Sequence, residues 1–178
     1  MAQQRRVVIV GSGAAGLAAA VAAASRGADV TVLEAAQELG GTTAWSGGGI
    51  WMPANDHGAP GSPQEQVAAA TLYLQNVAIG DGDAELQQHY IKEGRRVLQA
   101  SEEKTTVRWH EIVHFPDYHS ELPGGVPSGR SLEIDPVYVQ PDVMAQVRPN
   151  PGGTLRSGFG FATKQSTPRV HRCATIGS

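Results

Sequence analysis

One stretch of this chain constrains its fold more than any other. The segment 5–10 closes on Val7-Val8-Ile9-Val10, and Gly11-Ser12-Gly13-Ala14-Ala15-Gly16 follows at once. A β-branched run of this kind reads as a buried parallel strand with both faces covered. The glycines then form a turn that opens a helix over 14–25. The many alanines there have high helix propensity and let the helix pack closely on a sheet. Gly27 suits the position that stops such a helix. Residues 29–33 read as a second strand with Glu34 at its end. The expected fold class is therefore α/β, a Rossmann-like dinucleotide-binding βαβ domain with a parallel sheet.

A lone G-x-G-x-x-G says little. Here a strand precedes it, a helix follows it, and Glu34 lies near the spacing of about 20 residues that the nucleotide fingerprint requires. Gly11 permits the tight turn, Gly13 lets a pyrophosphate approach the backbone, and Gly16 lets helix and strand pack closely. Ser12, Ala14 and Ala15 complete the turn at a helix N-terminus, where free N–H groups and the helix dipole favour phosphate. Glu34 can accept hydrogen bonds from ribose hydroxyls and repels a 2′-phosphate, which argues against NADP. A second glycine-rich loop follows, Leu39-Gly40-Gly41-Thr42-Thr43-Ala44-Trp45-Ser46-Gly47-Gly48-Gly49-Ile50. Gly41, Gly47, Gly48 and Gly49 allow backbone to approach a longer cofactor, and Thr42, Thr43 and Ser46 can donate to phosphate or flavin edges. This second loop favours FAD over NAD. A ligand-free turn and a surface loop without function stay open as plain alternatives at this point.

Beyond the loop, Ser62-Pro63-Gln64-Glu65 reads as a helix start with a capping box. That helix runs to about Ala78, with Val67, Ala70, Leu74 and Val77 on one face. A second helix ends near residue 103, with Leu86, Tyr90, Val97 and Leu98 as expected core positions. After residue 106 Pro and Gly dominate, and only short strand-like runs such as Val137–Val139 remain. A long irregular segment is unusual in a compact domain. The C-terminal third is accordingly expected to be irregular and the chain to be truncated, with 1–165 as the N-terminal part of the FAD-binding domain and 166–178 as an unplaced tail.

The net charge of −3 gives no reason to expect nucleic acid or an anionic membrane as partner. The single cysteine, Cys173, excludes an intrachain disulfide and suits a reducing compartment. No run reads as a secretory leader or a membrane span, so a cytoplasmic location is expected. His110-Glu111-Ile112-Val113-His114 matches H-E-x-x-H literally, but Pro116 weakens a helix there and no third ligand is indicated, so no metal is expected. Trp45, Trp51 and Trp109 read as packing residues.

The two glycine-rich motifs together resemble the fumarate reductase/succinate dehydrogenase flavoprotein superfamily. Within it, Gly40-Gly41-Thr42-Thr43-Ala44-Trp45-Ser46-Gly47-Gly48-Gly49-Ile50-Trp51-Met52-Pro53 is similar to the 3-ketosteroid Δ1-dehydrogenases and their relatives. So are Phe115-Pro116-Asp117-Tyr118, Pro123-Gly124-Gly125 and Gly129-Arg130-Ser131-Leu132-Glu133. The resemblance implies an FAD-dependent oxidoreductase acting on CH–CH groups. Hydride passes to the flavin, a tyrosinate takes a proton from the neighbouring carbon, and a C=C bond forms next to a ketone. It implies Phe115 at the substrate pocket and Tyr118 as hydrogen-bond donor to the tyrosine that acts as base; a packing role for both is the alternative. The expected substrate is hydrophobic, of the ketosteroid kind.

Thr42-Thr43 stands where related enzymes carry a flavin-tethering histidine, so the FAD is expected to be non-covalent. The family's capping domain, remaining catalytic tyrosines and late glycine-rich segment have no counterpart here, and no turnover is expected from this stretch alone. A fumarate reductase-like enzyme acting on small dicarboxylates and a non-catalytic FAD- or ADP-binding fragment are the competing readings. Nothing in the sequence indicates an oligomeric state.

Overall fold

The computed structural model describes residues 5–149 and 169–172, the last four through their backbone alone. In chain order the elements are β1 (Arg6–Val10), α1 (Ala14–Ala24), β2 (Asp29–Glu34), β3 (Ile50–Trp51), α2 (Pro63–Val77), α3 (Ala84–Lys104), β4 (Trp109–Glu111), β5 (Ser131–Ile134), α4 (Pro141–Met144) and β6 (Arg169–Arg172). They fall into two compact units. The first draws its described residues from 1–48, 104–107 and 136–178, and the second comprises 49–103 and 108–135.

In the first unit β1 and β2 pair in parallel, with Val8 opposite Thr31, and β6 pairs in parallel on the far side of β2. The sheet order is β1-β2-β6. Parallel neighbours need a crossover connection, usually a helix, and the alanine-rich α1 fills that place. Ala20, Val30 and Val32 form the buried centre, with Val7, Ile9, Ala23, Ala24 and Ala28 packed around it. Small side chains on α1 permit this close approach. The helix ends as expected at Gly27, whose φ is +80°. Ala28 N–H donates to Ala23 O at 3.2 Å and Gly27 N–H to Ala24 O at 2.9 Å, the paired bonds of a Schellman stop.

One expectation fails here. β1 is not covered on both faces among the described residues: Val8 is 62% and Val10 83% exposed. Among the described residues it lies at the edge of the sheet, and its burial alternates because one face meets α1 and the buried centre.

In the second unit Ser62 caps α2 as read. Its hydroxyl accepts from Glu65 N–H while the Glu65 carboxylate accepts from Ser62 N–H, a complete capping box. Asp83 starts α3 by accepting from the N–H groups of Glu85 and Leu86 at 2.9 and 3.1 Å. Ala54, Ala70 and Ile91 form the buried centre, with Val67 and Leu74 against it. The expected core face of α3 is corrected. Leu98 is buried, but Leu86, Tyr90 and Val97 are exposed, and Ile91 and Gly94 face inward instead. Both sets recur at helical spacing, so periodicity alone could not choose between them.

The segment after residue 106 is also more ordered than expected. β3, β5 and β4 form an antiparallel sheet in that order, with Trp51 opposite Ser131 and His110 opposite Glu133. Strands this short show no usable period in sequence. The run Val137–Val139 is not a strand. Of the tail read as unplaced, 169–172 form β6, while 166–168 and 173–178 lie outside the described residues. Among the described residues no helix is long and apolar enough to cross a membrane.

Candidate cofactor site

The chain leaves β1 at Val10 and turns at Gly11, whose N–H donates to Leu33 O at 2.7 Å. Gly16 has no substitute. A Cβ there would fall on the carbonyl oxygen of Gly11, and a backbone atom cannot swing aside. Gly13 begins α1 without bringing a capping side chain to the first turn. Its α-carbon faces the second loop, since a Cβ would stand 3.5 Å from Thr43 Oγ1 and 3.9 Å from Gly40 O. Ala14 and Ala15 are exposed on the first turn.

Ser12 is fully buried and is used entirely inside the protein. Its N–H and its hydroxyl both donate to Glu34 Oε2, at 2.9 and 2.5 Å. The same hydroxyl accepts from Gly40 N–H at 2.8 Å. Glu34 Oε1 accepts from Ala36 N–H at 2.9 Å. These donors, the Ala36 amide foremost and then the Ser12 hydroxyl and amide, hold the Glu34 carboxyl down from 4.5 to about 2 against a small opposing effect of burial. Glu34 is therefore an anion with acceptor capacity left on Oε1.

The second loop closes onto the first. Ala14 N–H donates to Thr43 Oγ1 at 3.1 Å. Thr43–Trp45 form a single 3₁₀ turn, Ala44 N–H donates to Gly40 O, and the Ser46 hydroxyl donates to Thr43 O at 2.8 Å and accepts from Gly48 N–H at 3.2 Å. Thr42 and Gly47 are exposed, Gly41 is half-buried and Gly48 is buried. Gly49 begins the second unit.

A brace that sequence reasoning missed holds this loop. Leu39 N–H donates to Gln146 O at 2.7 Å and Arg148 N–H to Leu39 O at 2.8 Å, a parallel bridge between Leu39 and Val147. The Trp45 indole donates to Pro149 O at 2.9 Å, and the Arg148 guanidinium lies 3.8 Å from the Trp45 ring centre. Trp45 is thus more than a packing residue. No local pattern announces a partner so far along the chain.

Phe115 and Tyr118 lie in the second unit, both exposed, Tyr118 at 89%. The residues around Tyr118 are held firmly. Asp117 is buried and pairs with Arg130, Oδ2 to Nη1 at 2.7 Å. Its Oδ1 accepts from the Trp51 indole at 2.7 Å, and Val126 N–H donates to its Oδ2 at 3.1 Å. Arg130 also donates to Gly124 O at 2.9 Å and lies 5.8 Å from the Tyr73 ring centre. On the other side His119 N–H donates to the Tyr73 hydroxyl at 3.2 Å. Tyr90 stacks on Trp51 and donates to its carbonyl; withdrawal of that phenol from water pushes its pKa up. Asp117 and Arg130 stand within the quoted Phe-Pro-Asp-Tyr and Gly-Arg-Ser segments, and this was the signal for them.

The H-E-x-x-H match does not form a helical ligand pair. His110 is on β4, its ring nitrogens 3.2 Å from Glu133 and 3.0 Å from Asp135, and His114 follows in the left-handed region at φ +62°. Among the described residues no group of three or more His, Cys, Asp or Glu is placed to hold a metal.

The FAD binding domain family matches residues 6–171 of this chain. A 4-oxocyclohexanecarboxylate 2-dehydrogenase of Sinomonas cyclohexanicum is 40% identical over 127 residues, which cover 71% of this chain and 22% of that protein. A 3-oxosteroid 1-dehydrogenase of Mycobacterium tuberculosis is 38% identical over 134 residues, 75% of this chain and 24% of that protein. The crystal structure of a 3-ketosteroid Δ1-dehydrogenase from Sterolibacterium denitrificans, in complex with 1,4-androstadiene-3,17-dione, superposes with a TM-score of 0.75 at 29% identity, over 82% of this chain and 26% of that one. The chain thus spans 22–26% of the length of these proteins.

Proposed function

This chain belongs to the FAD binding domain family, and on that premise we propose that it is the nucleotide-holding part of an FAD-dependent dehydrogenase that places a C=C bond beside a ring ketone. The observation that carries the proposal is the closure of the two glycine-rich loops around an ionised acid, through Ser12–Glu34, Ser12–Gly40 and Ala14–Thr43. The parallel β1-α1-β2 unit is read as a Rossmann-like beginning. The first turn, Gly11 to Gly16, receives the pyrophosphate, with Gly13 giving the close approach and the open end of α1 favouring negative charge. Glu34 would hold the ribose hydroxyls through its remaining acceptor capacity. Gly41, Thr42, Thr43, Ser46, Gly47, Gly48 and Gly49 extend the site toward the flavin. When bound, FAD supplies an acceptor for a hydride.

The names of the two relatives share one chemistry. Each removes hydrogen from the pair of ring carbons next to an oxo group. A ring ketone is therefore the proposed substrate class, with a ketosteroid as its larger member. In this reading the exposed Tyr118 hydroxyl donates to a second tyrosine whose anion takes the proton, and Phe115 lines the substrate side. An unassisted phenol titrates near ~10, so a basic phenolate needs such a donor. With Thr42-Thr43 at the flavin end, the cofactor is held without a covalent bond.

Purification of the 178-residue chain tests this directly. Visible flavin absorbance should elute with the protein and be released on denaturation. A folded, colourless chain that takes up NAD instead overturns the proposal, and flavin that stays attached after denaturation overturns its non-covalent part.

A further inference from the structure

Ser12 stands at the centre of the candidate cofactor site, yet it has no proton left to offer a ligand. It is fully buried, and both its N–H and its hydroxyl proton point to Glu34 Oε2. A serine hydroxyl has one proton and two acceptor positions, and here one of the latter receives Gly40 N–H. Two residues further on, Ala14 N–H fastens the same loop at Thr43 Oγ1. The acid, the first turn and both ends of the Gly40–Thr43 segment are thereby joined in one hydrogen-bonded chain.

We infer that Ser12 is a positioning residue that couples the acid at the end of β2 to the second glycine-rich loop, so that the two grip the cofactor as one body. The inference rests on the FAD reading above. Its physical basis is the charge-assisted bond to Glu34, which is stronger and shorter than a neutral one and sets the hydroxyl's orientation toward Gly40. With that bond gone, Glu34 has lost a donor, Gly40 N–H has lost its acceptor, and the loop is fastened at Thr43 alone. A ligand that must engage both sides then meets two independent sites, each of which has to be ordered separately.

The test is FAD affinity of the whole 178-residue chain, followed by flavin fluorescence. Ser12→Ala and the nearly isosteric Ser12→Cys are compared, the latter keeping the volume while weakening the bonds, with circular dichroism to verify folding. Both should bind FAD about tenfold or more weakly than wild type, with Ser12→Cys keeping wild-type secondary structure. Glu34→Gln and Thr43→Ala are then combined in the wild-type and Ser12→Cys backgrounds. In the wild type their effects should fall well short of multiplying; with Ser12→Cys they should multiply. Simple destabilisation would not move that coupling. Unchanged affinity in Ser12→Cys, or effects that already multiply in the wild type, overturns the inference while leaving the FAD reading intact. A folded wild-type chain that takes up no FAD overturns the reading and the inference together.

Discussion

The carboxylate of Asp117 meets the guanidinium of Arg130 at 2.7 Å with their side chains only 1% and 2% exposed. Pairs of this kind add little over apolar residues of equal volume, but removing one partner alone strands a buried charge. Arg130 Nε is buried without a hydrogen-bond partner among the described residues, so the guanidinium depends heavily on Asp117. Asp117→Ala should therefore cost about 3–5 kcal/mol in urea denaturation. The double variant Asp117→Leu with Arg130→Met should lose markedly less than the two single losses combined. Recovery will not be complete, because Asp117 also receives the Trp51 indole and the Val126 amide.

Glu34 makes stability depend on pH in a defined window. Its carboxyl is held down from 4.5 to about 2 by the Ala36 and Ser12 donors. A lowered folded-state pKa means that the unfolded chain binds the proton more readily. The contribution is fully present above 4.5 and is lost as pH falls through 4.5 toward about 2. Glu34→Gln should be less stable than wild type at neutral pH, and the two should converge across that window. Urea midpoints measured at a series of pH values check this.

Trp45 should control local opening of the second loop more than global stability. Trp45→Phe loses the donor to Pro149 but keeps a ring beneath Arg148. Trp45→Ala loses both, at about 1 kcal/mol for the hydrogen bond and up to about 1 kcal/mol more for the exposed cation–ring contact. Hydrogen exchange over residues 40–48 should accelerate in the order wild type, Phe, Ala. Equal rates in all three would mean that the brace does not hold the loop.

Two glycines that look alike in sequence should respond differently to alanine. At Gly16 a Cβ would fall on the Gly11 carbonyl oxygen, which is backbone, and the cost should be about 3 kcal/mol with loss of FAD binding. At Gly94 it would fall on the Met52 sulfur, part of a flexible side chain. Moving that sulfur costs something, but alanine recovers about 1 kcal/mol of helix propensity. Gly94→Ala should lie within about 1 kcal/mol of wild type in denaturant titration.

Ile79 adopts φ +47° while 88% exposed. A left-handed conformation costs a residue with a Cβ about 1–2 kcal/mol, and an exposed side chain offers little packing in return. Ile79→Gly should raise stability by up to about 1 kcal/mol, since glycine adopts this conformation freely but loses more chain entropy on folding. A lowered thermal midpoint would overturn this expectation.

Local signals proved legible wherever the chain's neighbours along the sequence decide the structure. The strand–turn–helix–strand beginning, the Schellman stop at Gly27 and the Ser62/Glu65 capping box all depend on residues a few positions apart. The acid at the end of β2 could be identified for the same reason, since its place follows from the strand. The inward face of α3 could not, because Leu86, Tyr90 and Val97 satisfy helical spacing as well as Ile91 and Leu98 do.

By itself, then, the sequence determined that this chain carries a parallel βαβ unit, and it singled out the glycines and Glu34 as the proposed nucleotide site. Only the tertiary structure decided how that site is held. Ser12 turns out to be an internal joint, bonded to residues 22 and 28 positions away, and Trp45 is fastened to a carbonyl 104 positions away. Spacing along a chain reports backbone geometry. Which donor a buried acceptor finds across such separations depends on how the elements pack, and that information exists only once they have packed.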